Sequence, residues 1–238
     1  MKDILVFFSG GKDSFITACM CIEMGYHVKL ISFNNGCMVA EENILDSVNR
    51  LVNRYGKDFV EYVGCCSTVG TFASLRAKLS TMDLQDVSSR YPHVCIAQLN
   101  CLHCQTAMWI TGLAYCEAKD LKYIATGYKS SDKFCTGIPE YLEGMKTLCS
   151  AFGVEVITPL YNLDLADNSF ERNNEMLRRG FNSSVYEPKC MLGLPVEAPN
   201  QDQVDSLIKA LDYPTMLEEI NHLTPILKSI KLTTKSLI

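Results

Sequence analysis

The chain has 238 residues, 47% of them apolar and 21% charged, and a formal net charge of -5 at pH 7. That length supports one substantial core, or one core with a small appendage. The acidic balance argues against a broad, non-specific nucleic-acid surface, and no run approaches the roughly 20 apolar residues of a membrane-spanning helix.

Residues 4–8 are apolar but short, and a glycine-rich turn follows them in place of a small-residue cleavage site, so no secretory signal is read. The 12 cysteines are scattered among helical and strand-like segments. Without an export signal they indicate a reducing, cytoplasmic compartment. Cys19, Cys21, Cys37, Cys65, Cys66 and Cys116 sit in apolar company and are expected to be inert, buried thiols.

In chain order, residues 3–8 predict a buried strand closed by Ser9-Gly10-Gly11. Residues 13–24 predict a helix stopped by Gly25, and 27–33 a second strand ended by Asn34-Asn35-Gly36. Residues 41–55 form an amphipathic helix with Ile44, Val48, Leu51, Val52 and Tyr55 on one stripe, and 58–63 a third strand. Residues 68–90 are expected to be helical, 102–118 a long helix, and 122–125 a strand ended by Thr126-Gly127. Further on come a helix at 140–152, a strand at 155–157, a helix at 168–179, and two tail helices at 203–211 and 216–230. The tail stripes are expected to cover the sheet edge or a second subunit, which allows a homodimer. Repeated strand–helix–strand order predicts an α/β fold, a doubly wound, mainly parallel sheet flanked by helices. Residues 1–200 carry this domain and the cysteine site, and 201–238 form a helical extension of it.

The strongest signal is the first strand running into Ser9-Gly10-Gly11-Lys12-Asp13-Ser14 and a helix. Gly10 and Gly11 let successive N–H groups converge on one anion, and the following helix dipole adds to that field. Lys12 would neutralise phosphate charge, Ser9 and Ser14 would donate hydroxyls, and Asp13 would hold Mg²⁺. The spacing is neither that of a P-loop NTPase nor that of a dinucleotide fold. It resembles the signature of the ATP-pyrophosphatase superfamily (adenine nucleotide alpha hydrolases), which implies ATP split to AMP and pyrophosphate. On that resemblance Ser32 and Phe33 lie at the sheet edge where adenine binds. Ile124-Ala125-Thr126-Gly127-Tyr128, with Asp132 after it, is similar to the family's later Ala-Thr-Gly-His…Asp-Asp segment. Gly127 is then expected near the nucleotide. Tyr128 stands in place of the expected His and Ser131 in place of the first Asp.

Cys101-Leu102-His103-Cys104 opens the predicted 102–118 helix, where the dipole would lower both thiol pKa values, and Cys190 stands alone downstream. A Cys-x-x-Cys with one later cysteine, behind this phosphate loop, resembles the sulfur-transferring tRNA 2-thiouridine and 2-thiocytidine synthetases. That resemblance implies a [4Fe-4S] cluster held by Cys101, Cys104 and Cys190, with one iron open to sulfide. The residues leave other readings open: a structural Zn²⁺ completed by His103, Cys149 or Cys135, a persulfide pair such as Cys104 with Cys190, or unrelated thiols. Gly137-Ile138-Pro139-Glu140-Tyr141 with Thr158-Pro159-Leu160 is similar to a stretch of 7-cyano-7-deazaguanine synthase, an amide- and nitrile-forming ligase. That enzyme's zinc-binding cysteines have no counterpart here beyond Cys190.

His27, His93 and His222 are expected to be structural or exposed, Met108 and Trp109 core, Lys189 either in contact with a phosphate or solvated, and Asp164 and Asp167 match no catalytic template. The expected activity is ATP-dependent thionation, with Lys12, Asp13 and the three cysteines as catalytic residues. A nucleobase carbonyl is adenylated and its oxygen replaced by sulfur from sulfide or a sulfur-donor protein. A free nucleotide or base is the first expected substrate and tRNA the second. A ligase using ammonia and an inactive nucleotide sensor are the alternatives.

Overall fold

The computed structural model describes residues 1–39, 43–161, 163, 169–183, 189–190, 197–230 and 232. In chain order it holds β1 (Lys2–Phe7), α1 (Lys12–Glu23), β2 (Tyr26–Asn34), β3 (Met38–Val39), α2 (Asn43–Tyr55), β4 (Val60–Ser67), α3 (Val69–Ser80), α4 (Leu84–Arg90) and α5 (Ile96–Lys119). Then follow β5 (Tyr123–Ala125), a 3-10 turn (Cys135–Gly137), α6 (Pro139–Ala151), β6 (Glu155–Ile157), α7 (Ser169–Arg178), β7 (Lys189–Cys190), α8 (Gln201–Lys209) and α9 (Tyr213–Ser229).

The main sheet has five strands in the order β4-β2-β1-β5-β6, all parallel. The chain winds outward from β1 to β2 and β4, then returns to place β5 on the other side of β1. The carboxyl ends of β1 and β5 therefore flank a topological switch point, where open α/β sheets bind ligands.

Both faces of β1 are buried, as a central parallel strand requires. Ile4, Val6 and Phe8 share one core with Ile16 and Cys19 of α1, Ile44 and Leu51 of α2, and Met176 of α7. Leu5 and Phe7 point the other way, into a core with Leu99, Ala107 and Trp109 of α5 and Tyr141 of α6. Gly112 lets α5 lie close on β1, since a Cβ there would collide with the Phe7 ring. Met216 and Ile220 of α9 join the same core.

Several expectations needed correction. The 68–90 segment is two helices, because Asp83 accepts the Asp86 N–H at 2.8 Å and starts α4 afresh. β4 runs on to Ser67 and takes in buried Cys65 and Cys66. The tail helices pack on α5 and α3, not on the sheet edge. The long helix begins at Ile96, where Gln98 Oε1 accepts the Cys95 N–H at 2.9 Å in a capping box. Cys101 and Cys104 thus lie inside α5, past the first turn, where the dipole effect has faded. Asp164 and Asp167 fall outside the described residues. Among the described residues no helix is long and apolar enough to cross a membrane.

Candidate active site

β1 delivers the phosphate loop to the switch point. Gly10 turns it with a φ of +79°, and a Cβ there would sit 3.2 Å from the Cα of Ile44, so α2 packs on the loop's back. Ser47 Oγ donates to the Gly10 carbonyl at 3.0 Å and fixes that contact. Gly11 is the N-cap of α1 and offers no side chain to its first-turn N–H groups, which leaves them to an anion. Ser14 Oγ donates to the Gly11 carbonyl at 3.0 Å and lies 3.2 Å from Ser9 Oγ, which accepts the Gly11 N–H at 3.3 Å. The two hydroxyls therefore hold the loop's shape.

A cavity of about 370 Å³ opens against this loop. Ser9, Asp13 and Ser14 line it on one side, Phe33 at the end of β2 on another, and Gln105 and Met108 of α5 on a third. Thr126, Gly127, Tyr128 and Asp132, beyond β5, complete the wall. Lys12 begins α1 and is not part of that lining. Ser32, expected near adenine, is instead buried and donates to the Phe8 carbonyl at 2.7 Å, tying β2 to the loop. Gly127, expected near the nucleotide, lines the cavity and also lies against the loop itself. A Cβ on it would meet the Asp13 and Ser14 backbone at 2.8–2.9 Å, so its bare Cα lets the β5 loop press on the start of α1.

Asp13 is held in a charged network that sequence reading missed. Its Oδ2 accepts Lys129 Nζ at 3.1 Å and Arg172 NH1 of α7 at 3.2 Å, while its Oδ1 is buried without a hydrogen-bond partner. The Lys129 side chain is only 5% exposed and also reaches Asp132 Oδ1 at 3.4 Å. Asp132 Oδ2 in turn accepts the Lys129 N–H at 3.2 Å and the Thr136 hydroxyl at 3.1 Å. Burial raises the Asp132 pKa above the ordinary carboxylate value, against the pull of Lys129 and its two hydrogen bonds. Mg²⁺ is commonly held by one or two carboxylates together with substrate phosphates. The orphaned Asp13 Oδ1 and the neighbouring Asp132 fit that role.

The cysteines gather one helical turn from the cavity. On α5, Cys101 precedes Gln105 and Cys104 precedes Met108 by four residues, the spacing of side chains on one face. Asn35 Nδ2 donates to Cys104 Sγ at 2.9 Å, and Asn35 Oδ1 accepts the Cys37 N–H at 2.8 Å. The β3–β7 ribbon pairs Met38 with Cys190 and so brings Cys190 beside Cys37. Cys101, Cys190 and Cys37 all lie close enough to raise the Cys104 pKa. Burial is the larger cause and pushes that thiol up to about 12. Cys101 behaves oppositely. A hydrogen bond from Cys135 lowers its pKa below the ordinary thiol value, although burial opposes this. Burial and that same bond raise Cys135 well above it.

Cys37 is therefore half-buried beside the thiol group, not an inert core residue, and Cys135 joins through the 3-10 turn. His103 points away from the group: it is buried, faces Arg76, and burial pushes its pKa down to about 4. Among the described residues no three His, Cys, Asp or Glu side chains are arranged to hold a metal ion. As they stand, the thiols are arranged in hydrogen-bonded pairs, Cys104 with Asn35 and Cys101 with Cys135, and not as a set of metal ligands.

On the other side of the cavity wall, the Tyr128 hydroxyl donates to Gln105 Oε1 at 2.9 Å. Trp109 packs edge-on against Tyr128, with ring centroids 5.9 Å apart. Trp109 and Met108, both expected in the core, divide: Trp109 is fully buried, whereas Met108 lines the cavity.

The sequence profile of the family described as "Queuosine biosynthesis protein QueC" matches residues 3–190, well over half of the chain. A search of curated proteins gives no match. Among solved structures, a 4-thiouridine synthetase in complex with RNA and bound ATP superimposes with a TM-score of 0.60 at 12% identity, over 94% of this chain and 53% of that one. The chain thus spans about half the length of that synthetase. NMN synthetase from Francisella tularensis superimposes with a TM-score of 0.53 at 12% identity, over 98% of this chain and 88% of that one. At such identity both likenesses concern the fold alone.

Proposed function

The chain belongs to the QueC family of queuosine biosynthesis proteins, and from that premise we propose that it adenylates a carbonyl oxygen of a nucleobase-like substrate and replaces that oxygen with sulfur. One observation carries the reading: α5 places Gln105 and Met108 on the wall of the phosphate-loop cavity and Cys101 and Cys104 one turn away. Adenylation and the thiols thus share one helix.

The loop N–H groups and the start of α1 favour the phosphates of ATP, and Mg²⁺, when bound at Asp13, supplies charge neutralisation for the departing pyrophosphate. Phe33 and Met108 offer apolar surface to a planar base. The Tyr128 hydroxyl donates a hydrogen bond to Gln105 Oε1, so the Gln105 amide N–H groups are left to meet an acceptor such as a ring carbonyl.

Sulfide opens a Cys101–Cys135 disulfide, the two-electron oxidant of this step, and leaves a persulfide on Cys101 and a free thiol on Cys135. The terminal sulfur attacks the adenylated carbon, and AMP leaves with the original oxygen. Cys135 then loses its proton and closes on Cys101 Sγ, breaking the bond to the transferred sulfur. The products are a thiocarbonyl and a Cys101–Cys135 disulfide. The dithiol has given two electrons to the transferred sulfur, and the next sulfide reopens the disulfide to regenerate the persulfide. The substrate is a free nucleotide or base first, and RNA second.

The family match itself favours a second reading, in which the activated oxygen is that of a carboxylate and the incoming atom is nitrogen. Incubation with ATP, Mg²⁺ and candidate deazapurine, purine or pyrimidine substrates, in parallel sulfide and ammonium arms, separates the two. Pyrophosphate release with a mass gain matching oxygen-to-sulfur exchange supports thionation. An amide or nitrile formed only in the ammonium arm sinks it and leaves the adenylation reading standing.

A further inference from the structure

We propose that Lys129 and Arg172 form a clamp for the pyrophosphate end of ATP, and that Asp13 and those phosphates compete for the same two cations. The inference rests on the ATP reading above and adds residues that no motif in the loop contains.

Three features of the site point to an anion. Lys129 is almost wholly buried yet spans two carboxylates, Asp13 and Asp132. Arg172 reaches Asp13 through NH1, while its Nε is buried with no hydrogen-bond partner. The first-turn N–H groups of α1, beside Asp13, carry no side-chain cap. A buried donor without an acceptor is costly, because its desolvation goes uncompensated. Arginine's planar fork is matched to a phosphate, which can take two of its N–H groups in parallel, and Arg172 keeps Nε without an acceptor beside the NH1 that meets Asp13.

The charges explain why the arrangement favours exchange over simple addition. Asp13 and Asp132 balance Lys129 and Arg172, so phosphate oxygens entering the site bring uncompensated negative charge. Shifting the two cations from Asp13 to the phosphates leaves a bare carboxylate whose Oδ1 is already without a partner. That carboxylate is then suited to Mg²⁺, and nucleotide and metal binding become coupled. The coupling is reciprocal, each ligand tightening the other by the same factor.

The test is binding, read by calorimetry and by fluorescence of Trp109, the single tryptophan, which packs on Tyr128 of the cavity wall. Inorganic pyrophosphate, ATP and AMP are titrated with and without MgCl₂ into the wild-type chain and into R172Q, K129M and K129R. The clamp predicts that R172Q weakens pyrophosphate and ATP at least tenfold while AMP, which lacks the clamped phosphates, binds as before. K129R stays within a few-fold of wild type, and Mg²⁺ tightens pyrophosphate less in R172Q than in wild type. K129M leaves two carboxylates facing each other and is interpreted only alongside a wild-type circular dichroism spectrum; R172Q and K129R decide between clamp and no clamp. Equal loss of AMP and pyrophosphate in R172Q, or no loss of either, overturns the clamp. A wild-type chain that binds neither ATP nor pyrophosphate overturns the ATP reading instead.

Discussion

Gly127→Ala adds one methyl group at the seam between the β5 loop and the start of α1. Gly127 does not have a left-handed φ, so alanine is accepted by the backbone itself and the effect is steric. The new Cβ would stand 2.8 Å from the Asp13 carbonyl carbon, 2.9 Å from its oxygen and 2.9 Å from the Ser14 nitrogen. Favourable carbon contacts lie near 3.5 Å, so the two segments must part by about 0.7 Å. All three obstacles are backbone atoms, and no rotamer change relieves them. Overpacking of this kind costs about 1–3 kcal/mol, which lowers the melting temperature by about 2–12 °C in a chain of this length. The functional loss is expected to be larger, because a displacement approaching 1 Å costs on the order of 100-fold in rate. ATP–pyrophosphate exchange, measured where the variant is still folded, is expected to fall by about 10- to 100-fold. Gly70→Ala, which meets nothing within 4 Å, is the control and should leave both quantities near wild type. Full exchange activity in Gly127→Ala, with an unchanged melting temperature, would refute the close approach and with it the placement of Gly127 as a spacer.

Asp13→Asn should abolish pyrophosphate release in a malachite-green assay with pyrophosphatase, since the substitution removes the carboxylate on which both cations and the expected Mg²⁺ depend. The stability of the fold should decline in alkali: burial pushes Cys19, Cys21, Cys104 and Cys149 up to about 12 from an ordinary value of 9.0. These thiols ionise in the unfolded chain first, so their contribution is complete below pH 9 and disappears towards pH 12. At pH 10 the loss is roughly 1 kcal/mol per thiol, and urea midpoints recorded from pH 8 to 11 measure it. Iodoacetamide should label Cys101 ahead of Cys104 at neutral pH by peptide mass mapping. Cys135→Ser, which exchanges the sulfur donor for a hydroxyl, should shift the pH profile of Cys101 labelling; an unmoved profile removes Cys135 from the thiol pair.

The strand–loop–helix unit was legible because its signals are local. An apolar run, two glycines and a helix that follows at once need no distant partner to be recognised. The start of α5 was missed because its capping box is Cys95-Ile96-Ala97-Gln98, with cysteine where the sequence rule expects Ser or Thr. A helix counted from residue 102 would put Cys101 and Cys104 at its end and under a dipole that they do not feel inside α5. Lys129 and Arg172 were invisible for a different reason. Arg172 meets Asp13 across 159 positions of sequence, and nothing in its local context separates it from the other arginines of a polar helix. Cys190 was placed by its number in a pattern, but its proximity to Cys37 depends on the two-residue ribbon of β3 and β7, which is too short to leave a periodic trace.

The departure at Tyr128 gains a physical meaning from its neighbours. A histidine there would titrate near neutral pH beside Cys101, and its charge would follow that of the thiol. Tyr128 is only partly exposed, and burial together with Cys135, Cys101 and Cys104 raises its pKa well above the ordinary phenol value. It therefore keeps its proton across the working range and remains a donor to Gln105. The result is a neutral wall between the phosphate cavity and the thiol group, with the amide of Gln105 turned one way whatever the charge on Cys101. Tyr128→Phe removes the hydroxyl but keeps the ring, and so frees Gln105 to present either its oxygen or its nitrogen. The expected outcome is a raised KM for the base substrate with ATP binding unchanged. A variant that keeps the wild-type KM for the base would show that the ring, and not the hydroxyl, is what Tyr128 contributes.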